Sequence, residues 1–78
     1  MNAPRPSIIV DTRGLFCPIP IIKTSEAIGR VDAGGIVEVI SDDPGIEHDL
    51  PAWCRSHGHR IERMTRDGKD FHYLVKKV

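Results

Sequence analysis

Residues 8–20 read Ile8-Ile9-Val10-Asp11-Thr12-Arg13-Gly14-Leu15-Phe16-Cys17-Pro18-Ile19-Pro20, and they pass from a strand through a loop into a helix. Ile8-Ile9-Val10 is a β-branched run suited to a pleated, buried surface, ending near Asp11. Gly14 lets the following loop take positive φ. Pro18 marks a helix start, because proline in the first turn gives up an N–H that has no intrahelical partner there. Pro20 must fall in the same turn, which places the start at about residue 18. Ile21, Ile28 and Val31, with Thr24 and Ser25 between them, provide a stripe to bury. This helix is expected to end near Arg30, with Asp32-Ala33-Gly34-Gly35 as the exit turn.

Further along, Ile36-Val37-Glu38-Val39-Ile40 reads as a second strand and Ser41-Asp42-Asp43-Pro44-Gly45 as a loop. Ile46, Leu50, Trp53, Cys54 and His57 recur at helical spacing. Pro51 must lie in or near the first turn of that helix or kink it, so Asp49 is the N-cap candidate for a restart. Gly58 is the stop. Two closing strands are expected at about His59–Thr65 and Phe71–Lys77. Asp67-Gly68 suits a type I′ turn between them, with positive φ at both central positions. Phe71, Tyr73 and Val75 alternate and should share one face, read as core packing with a sheet-face patch for a partner as the alternative. The order β-α-β-α-β-β predicts an α+β fold: a two-layer α/β sandwich, with a four-stranded mixed sheet and two helices on one face. Residues 1–7 are expected to be a disordered tail and residues 8–78 the domain.

A chain of 78 residues allows one domain and one core. It buries only about 60% of the surface its unfolded form exposes, so chemistry belongs on a loop or at a helix end. Eleven basic and eleven acidic residues cancel, which argues against a generic nucleic-acid binder. Arg55, Arg60, Arg63, Arg66, Lys76 and Lys77 lie in the last third. A solvated surface is the simpler reading of that cluster, and a face for an acidic protein partner is the alternative. Met1–Pro6 lacks the apolar core of a signal peptide, and no run approaches the length of a membrane span. A cytoplasmic protein is therefore expected, without a structural disulfide. There is no CxxC pair.

Cys17 is the candidate reactive residue. At a helix N-terminus the free N–H groups and the dipole favour an anion. A thiol there is expected to fall below its reference pKa of about 8.5. Arg13, four residues upstream, would add to this if the loop folds back. Pro18 and Pro20 remove two donors from the same nest, but they stiffen the junction and hold the sulfur outward. The motif thus reads as presentation of sulfur first and acidification second. The competing reading is an ordinary buried cysteine. Cys54, in mid-helix beside Trp53, reads as packing, with a resolving thiol or a disulfide to Cys17 as the alternative. Cys54, His57, His59 and nearby His48 do not complete a familiar zinc pattern, and no metal is expected. Asp42-Asp43 beside Pro44-Gly45 reads as loop and capping chemistry.

Asp11–Pro20 resembles the D-x-R-G-L-x-C-P-x-P signature of the TusA/SirA/YedF family of sulfur carriers. Ser41–Pro44, Asp49–Cys54 and Phe71–Lys77 resemble it too, and Asp49–Cys54 is closer to the TusA branch than to YedF. The resemblance spans roughly residues 8–78. It implies that Cys17 accepts sulfane sulfur as a persulfide and passes it on, with Arg13, Gly14, Pro18 and Pro20 as supporting residues. It implies a cysteine desulfurase or a rhodanese-type protein as donor, and a downstream acceptor protein. Family members feed tRNA 2-thiouridine, molybdenum-cofactor or sulfur-oxidation pathways. No cofactor, membrane contact or direct nucleic-acid contact is expected, and a monomer is the default. Two other classes remain open: a regulatory interaction module whose cysteine is dispensable, and a thiol-redox protein cycling Cys17 and Cys54.

Overall fold

Side chains alternate across a strand, so the buried positions show which sheet face carries the core. In the computed structural model, which describes residues 5–78, four strands and two helices occur in the order β1 (Ile8–Asp11), α1 (Ile19–Ile28), β2 (Ile36–Ser41), α2 (Ile46–His57), β3 (Arg60–Asp67) and β4 (Asp70–Lys76). Val37, Val39 and Ser41 of β2 and Phe71, Tyr73 and Val75 of β4 are buried, whereas the residues between them in β4 are only half-buried. Ala27 and Ile28 of α1 and Ile46, Leu50 and Cys54 of α2 join Val37, Val39, Phe71, Tyr73 and Val75 in one cluster. Both helices therefore cover one face of the sheet. The two-layer α+β sandwich expected from the element order is the observed fold.

The strands lie side by side as β1-β2-β4-β3. β1 pairs parallel to β2, with Ile8 opposite Val37 and Asp11 opposite Ile40. β2 pairs antiparallel to β4, with Val39 opposite Tyr73, and β4 pairs antiparallel to β3. A parallel pair needs a crossover, and α1 supplies it. One consequence positions the site. The loops that follow Asp11 and Ser41 leave the sheet at the same end, as neighbours.

Several local expectations change. Ser7, expected in the tail, donates its N–H to Ile36 O at 2.6 Å; residues 1–4 of that tail lie outside the described residues. α1 ends at Ile28 rather than near Arg30. α2 starts at Ile46 behind Gly45, so Asp49 does not cap a restart, and Pro51 lies inside the helix. The Gly45-Ile46 start wins because Ile46 and Leu50 together bury one face. Gly58 stops α2 with φ 76°, and His59 N–H returns to Cys54 O at 2.9 Å, a Schellman-type closure. The β3–β4 turn is Gly68-Lys69, one residue later than expected. Only Gly68 has positive φ, at 63°, which is the requirement of a type II′ turn rather than I′.

Candidate functional site

The β1–α1 loop is tied down from both sides. Thr12, completely buried, donates its N–H and its hydroxyl to Ile40 O at 2.8 and 2.6 Å. Leu15 N–H returns to Thr12 O at 3.1 Å, and Gly14 between them takes φ 81°. The β2–α2 loop then holds its neighbour with carboxylates. Asp42 Oδ1 accepts the Gly14 N–H at 3.0 Å, and Asp43 Oδ2 accepts the Cys17 N–H at 3.2 Å. Asp43 is fixed in turn, accepting Gly45 N–H on Oδ1 and donating its own N–H to Ser41 Oγ, both at 3.1 Å. The loop and capping role expected for Asp42-Asp43 is thus seen, and it extends to a segment 26–28 residues upstream.

Cys17 is exposed at the end of this loop, and Cys54 is buried; neither is in a disulfide. Cys17 precedes Pro18, the cap residue of α1, through a cis peptide. Phe16 beside it is 71% exposed, and Ile19 and Ile22 on α1 are exposed as well. Pro20 is buried under the first turn, and Thr24 Oγ1 donates to its carbonyl at 2.8 Å.

The expected acidification of Cys17 is overturned. Its thiol is held above the ordinary range, first by hydrogen bonding to the Asp49 carboxylate, then by desolvation and by the negative charges of Asp49 and Asp43. The first turn of α1 has little to set against this. Pro18 and Pro20 carry no N–H. Ile19 gives its N–H to Phe16 O at 2.9 Å and Ile21 gives its own to Pro18 O at 3.1 Å. Arg13 does not fold back to the sulfur. Its guanidinium bonds Asp11 through Nε at 2.9 Å and Nη2 at 2.7 Å, and reaches Asp70 at 3.4 Å. Arg13 thereby braces the loop against the start of β4 and holds the Asp11 carboxyl down to about 2.

Of the residues singled out in the sequence, Gly14, Cys17, Pro18 and Pro20 therefore lie together, and Arg13 faces away toward β4. Asp43 and Asp49 were missed as neighbours of the sulfur. A signal for Asp43 was available: a parallel β1–β2 pair sets the two following loops side by side. The remaining candidates form a separate group. Burial pushes the Cys54 thiol up to about 11. Trp53 stacks on His57 at 4.6 Å between ring centroids, and His59 lies 5.5 Å from the same indole. Among the described residues no helix is long and apolar enough to cross a membrane.

Residues 8–77 match the family model described as Sulfurtransferase TusA. The sulfur carrier protein TusA of Pseudomonas putida strain F1 is 33% identical over 72 residues, covering 92% of this chain and 90% of that protein. The protein YrkI of Bacillus subtilis is 36% identical over 69 residues, covering 88% and 92%. A SirA-like protein of Desulfitobacterium hafniense, known from its crystal structure, superposes with a TM-score of 0.78 at 27% identity, covering 88% of this chain and 95% of that one.

Proposed function

The chain belongs to the TusA family of sulfur carrier proteins, and from that premise we propose that Cys17 is the residue that carries the sulfur, as a persulfide. The observation that carries the assignment is the contrast between the two thiols. Cys17 is exposed on a braced loop, and Cys54 is sealed in the core. Thiol exchange requires access to the attacking sulfur.

In loading, the Cys17 thiolate attacks the outer sulfur of a donor persulfide. A Cys17 S–S bond forms, the donor's S–S bond breaks, and the donor leaves as a thiolate. In delivery, an acceptor thiolate attacks the outer sulfur and Cys17 is the leaving thiolate. The two steps balance without external oxidant, reductant or cofactor. Gly14 supplies the positive φ that turns the loop. Pro18 and Pro20 stiffen the junction, and Arg13 fixes the loop's far side. A cysteine desulfurase or a rhodanese-type protein suits the donor role and a thiol-bearing protein the acceptor role, with tRNA thiolation, molybdenum-cofactor synthesis and sulfur oxidation as the candidate pathways. We place the carrier in the cytoplasm as a monomer that docks transiently.

Incubation with a cysteine desulfurase and cysteine tests the reading by intact mass. Wild type is expected to gain one sulfur atom, removable by reductant. Cys17→Ser should gain none, and Cys54→Ala should load as wild type does. Loading of Cys17→Ser, or wild type that gains no labile sulfur from desulfurase or rhodanese donors, defeats it. The same pair of variants separates the alternatives. An interaction module tolerates Cys17→Ser in every binding assay, and a redox cycle needs both cysteines.

A further inference from the structure

Both helices cover one face of the sheet, and the other face lies open. Ile61 and Val75 pack toward the core, so their neighbours point away from it: His72, Leu74 and Lys76 on β4, with Thr65, Arg63 and Arg60 opposite them on β3. On this open face Leu74 stands between Arg63 and Glu38 of β2, and with Thr65 and His72 they line a groove of about 280 Å³. That is room for a side chain or two, just under the usual span of small-ligand sites, roughly 300–1,000 Å³.

The basic residues in the last third of the chain divide into engaged and unengaged groups. Lys77 donates to Val31 O at 2.8 Å, and the Arg66 guanidinium lies 4.8 Å over the Phe71 ring. Arg60 pairs with Glu62 at 3.1 Å. Arg63 and Lys76 have no carboxylate partner among the described residues. Lys76 also stands directly opposite Arg60, an arrangement of like charges that costs stability. The carboxylates that would relieve it are elsewhere. Asp11, Asp42, Asp43 and Asp70 are committed around the Cys17 loop, at the end of the sheet where Ser41 pairs with Phe71; Lys76 lies at the opposite end, beside Ile36. Glu38 is in the groove, but its carboxylate is held by His72 Nδ1 at 2.9 Å.

We propose that this open face is a docking surface for an extended acidic segment of a protein partner, which sets an apolar side chain on Leu74 and carboxylates on Arg63 and Lys76. Two cations without internal counter-charge, flanking an apolar floor, are complementary to that chemistry. A nucleic acid fits less well. Single strands are held by stacking on aromatic side chains, and this sheet turns Phe71 and Tyr73 into the core. The surface is distinct from the Cys17 loop and stands whichever thiol carries sulfur. A partner held here leaves the Cys17 loop free to meet donor and acceptor in turn.

Titration of the isotope-labelled protein with an octapeptide of alternating glutamate and leucine, followed by NMR, tests this. Amide signals of Arg63–Thr65 and His72–Lys76 should shift saturably, with half-saturation below about 1 mM, and those of α1 and the Cys17 loop should stay in place. The same peptide with glutamine for glutamate should leave the spectrum unchanged. Arg63→Gln and Lys76→Gln should each weaken binding about two- to fivefold, the range for one exposed charge pair. Added salt should weaken the wild-type complex. Absence of a saturable shift, shifts that gather on α1 instead, or equal binding of the glutamine peptide overturns the proposal. So does wild-type affinity in both charge variants, whose unperturbed spectra elsewhere would show them folded. A decauridylate that moves the same amides at lower concentration than the peptide also overturns it, by making the face a nucleic-acid surface.

Discussion

Thr12 shows what a single residue does for this site. It stands where β1 gives way to the Cys17 loop, fully buried, with its hydroxyl 2.6 Å from Ile40 O. Valine has nearly the same shape and no hydroxyl, so Thr12→Val removes the bond and keeps the packing. Loss of one hydrogen bond costs about 1 kcal/mol, with the Ile40 carbonyl still served by the Thr12 N–H. Urea unfolding should show that loss, and an unchanged midpoint would mean the hydroxyl adds nothing to the loop. At this scale the glycine, the cysteine and the prolines were legible, because each has its own backbone chemistry. The roles of Arg13, Asp43 and Asp49 were not, since a charged side chain is defined by its partner. Arg13 was read toward the sulfur four residues away, but Asp11 and Asp70 are better placed to hold its planar fork.

Elements were read more accurately in their interiors than at their ends. The stripe Ile46, Leu50 and Cys54 was visible and is buried, yet Pro51 drew the expected start of α2 forward to Asp49. The helix runs through the proline instead, because the apolar face it buries outweighs one missing backbone donor. The consequence is local: Asp49, freed from capping, lies on the first turn of α2 with its carboxylate beside Gly45. The stop at Gly58 was legible because its φ of 76° suits glycine best among the common residues. Alanine there meets no neighbouring atom within 4 Å, so only backbone strain opposes it. Gly58→Ala should therefore cost about 1–2 kcal/mol, read as a lower thermal midpoint by circular dichroism. A variant as stable as wild type would show that the α2–β3 junction relaxes to negative φ. The hairpin slipped by one residue for the same reason: Gly68 takes the first central position of the turn, and a sequence containing Asp67-Gly68-Lys69 fits either register.

On the scale of the whole molecule, layer order was legible and strand order was not. Alternation in β2 and β4 marks one buried face, and two amphipathic helices must cover it. Insertion of β4 between β2 and β3 is a choice among non-local pairings that no local pattern encodes. The core so formed is small, and Cys54 is a measurable part of it. At roughly 0.05–0.15 kcal/mol per residue, a chain of this size holds about 4–12 kcal/mol of net stability. Burial raises the Cys54 thiol from its ordinary 9 to about 11. In the unfolded chain this thiol ionises near the lower value, and in the folded protein it keeps its proton to the higher. Between the two, the unfolded state binds fewer protons, so stability falls as pH rises. The contribution is complete below pH 9 and is lost through pH 11, with an upper limit of about 3 kcal/mol. Cys54→Ala separates this from every other alkaline effect, because the raised Tyr73 hydroxyl and Cys17 thiol are common to both proteins. At pH 8 the variant should be less stable by about 1–2 kcal/mol for the lost packing. Urea unfolding repeated up to pH 11 should show that deficit shrinking and then reversing, since alanine has no proton to lose. A constant deficit across the range would mean that the Cys54 pocket admits water and that the core is looser than its buried surfaces imply.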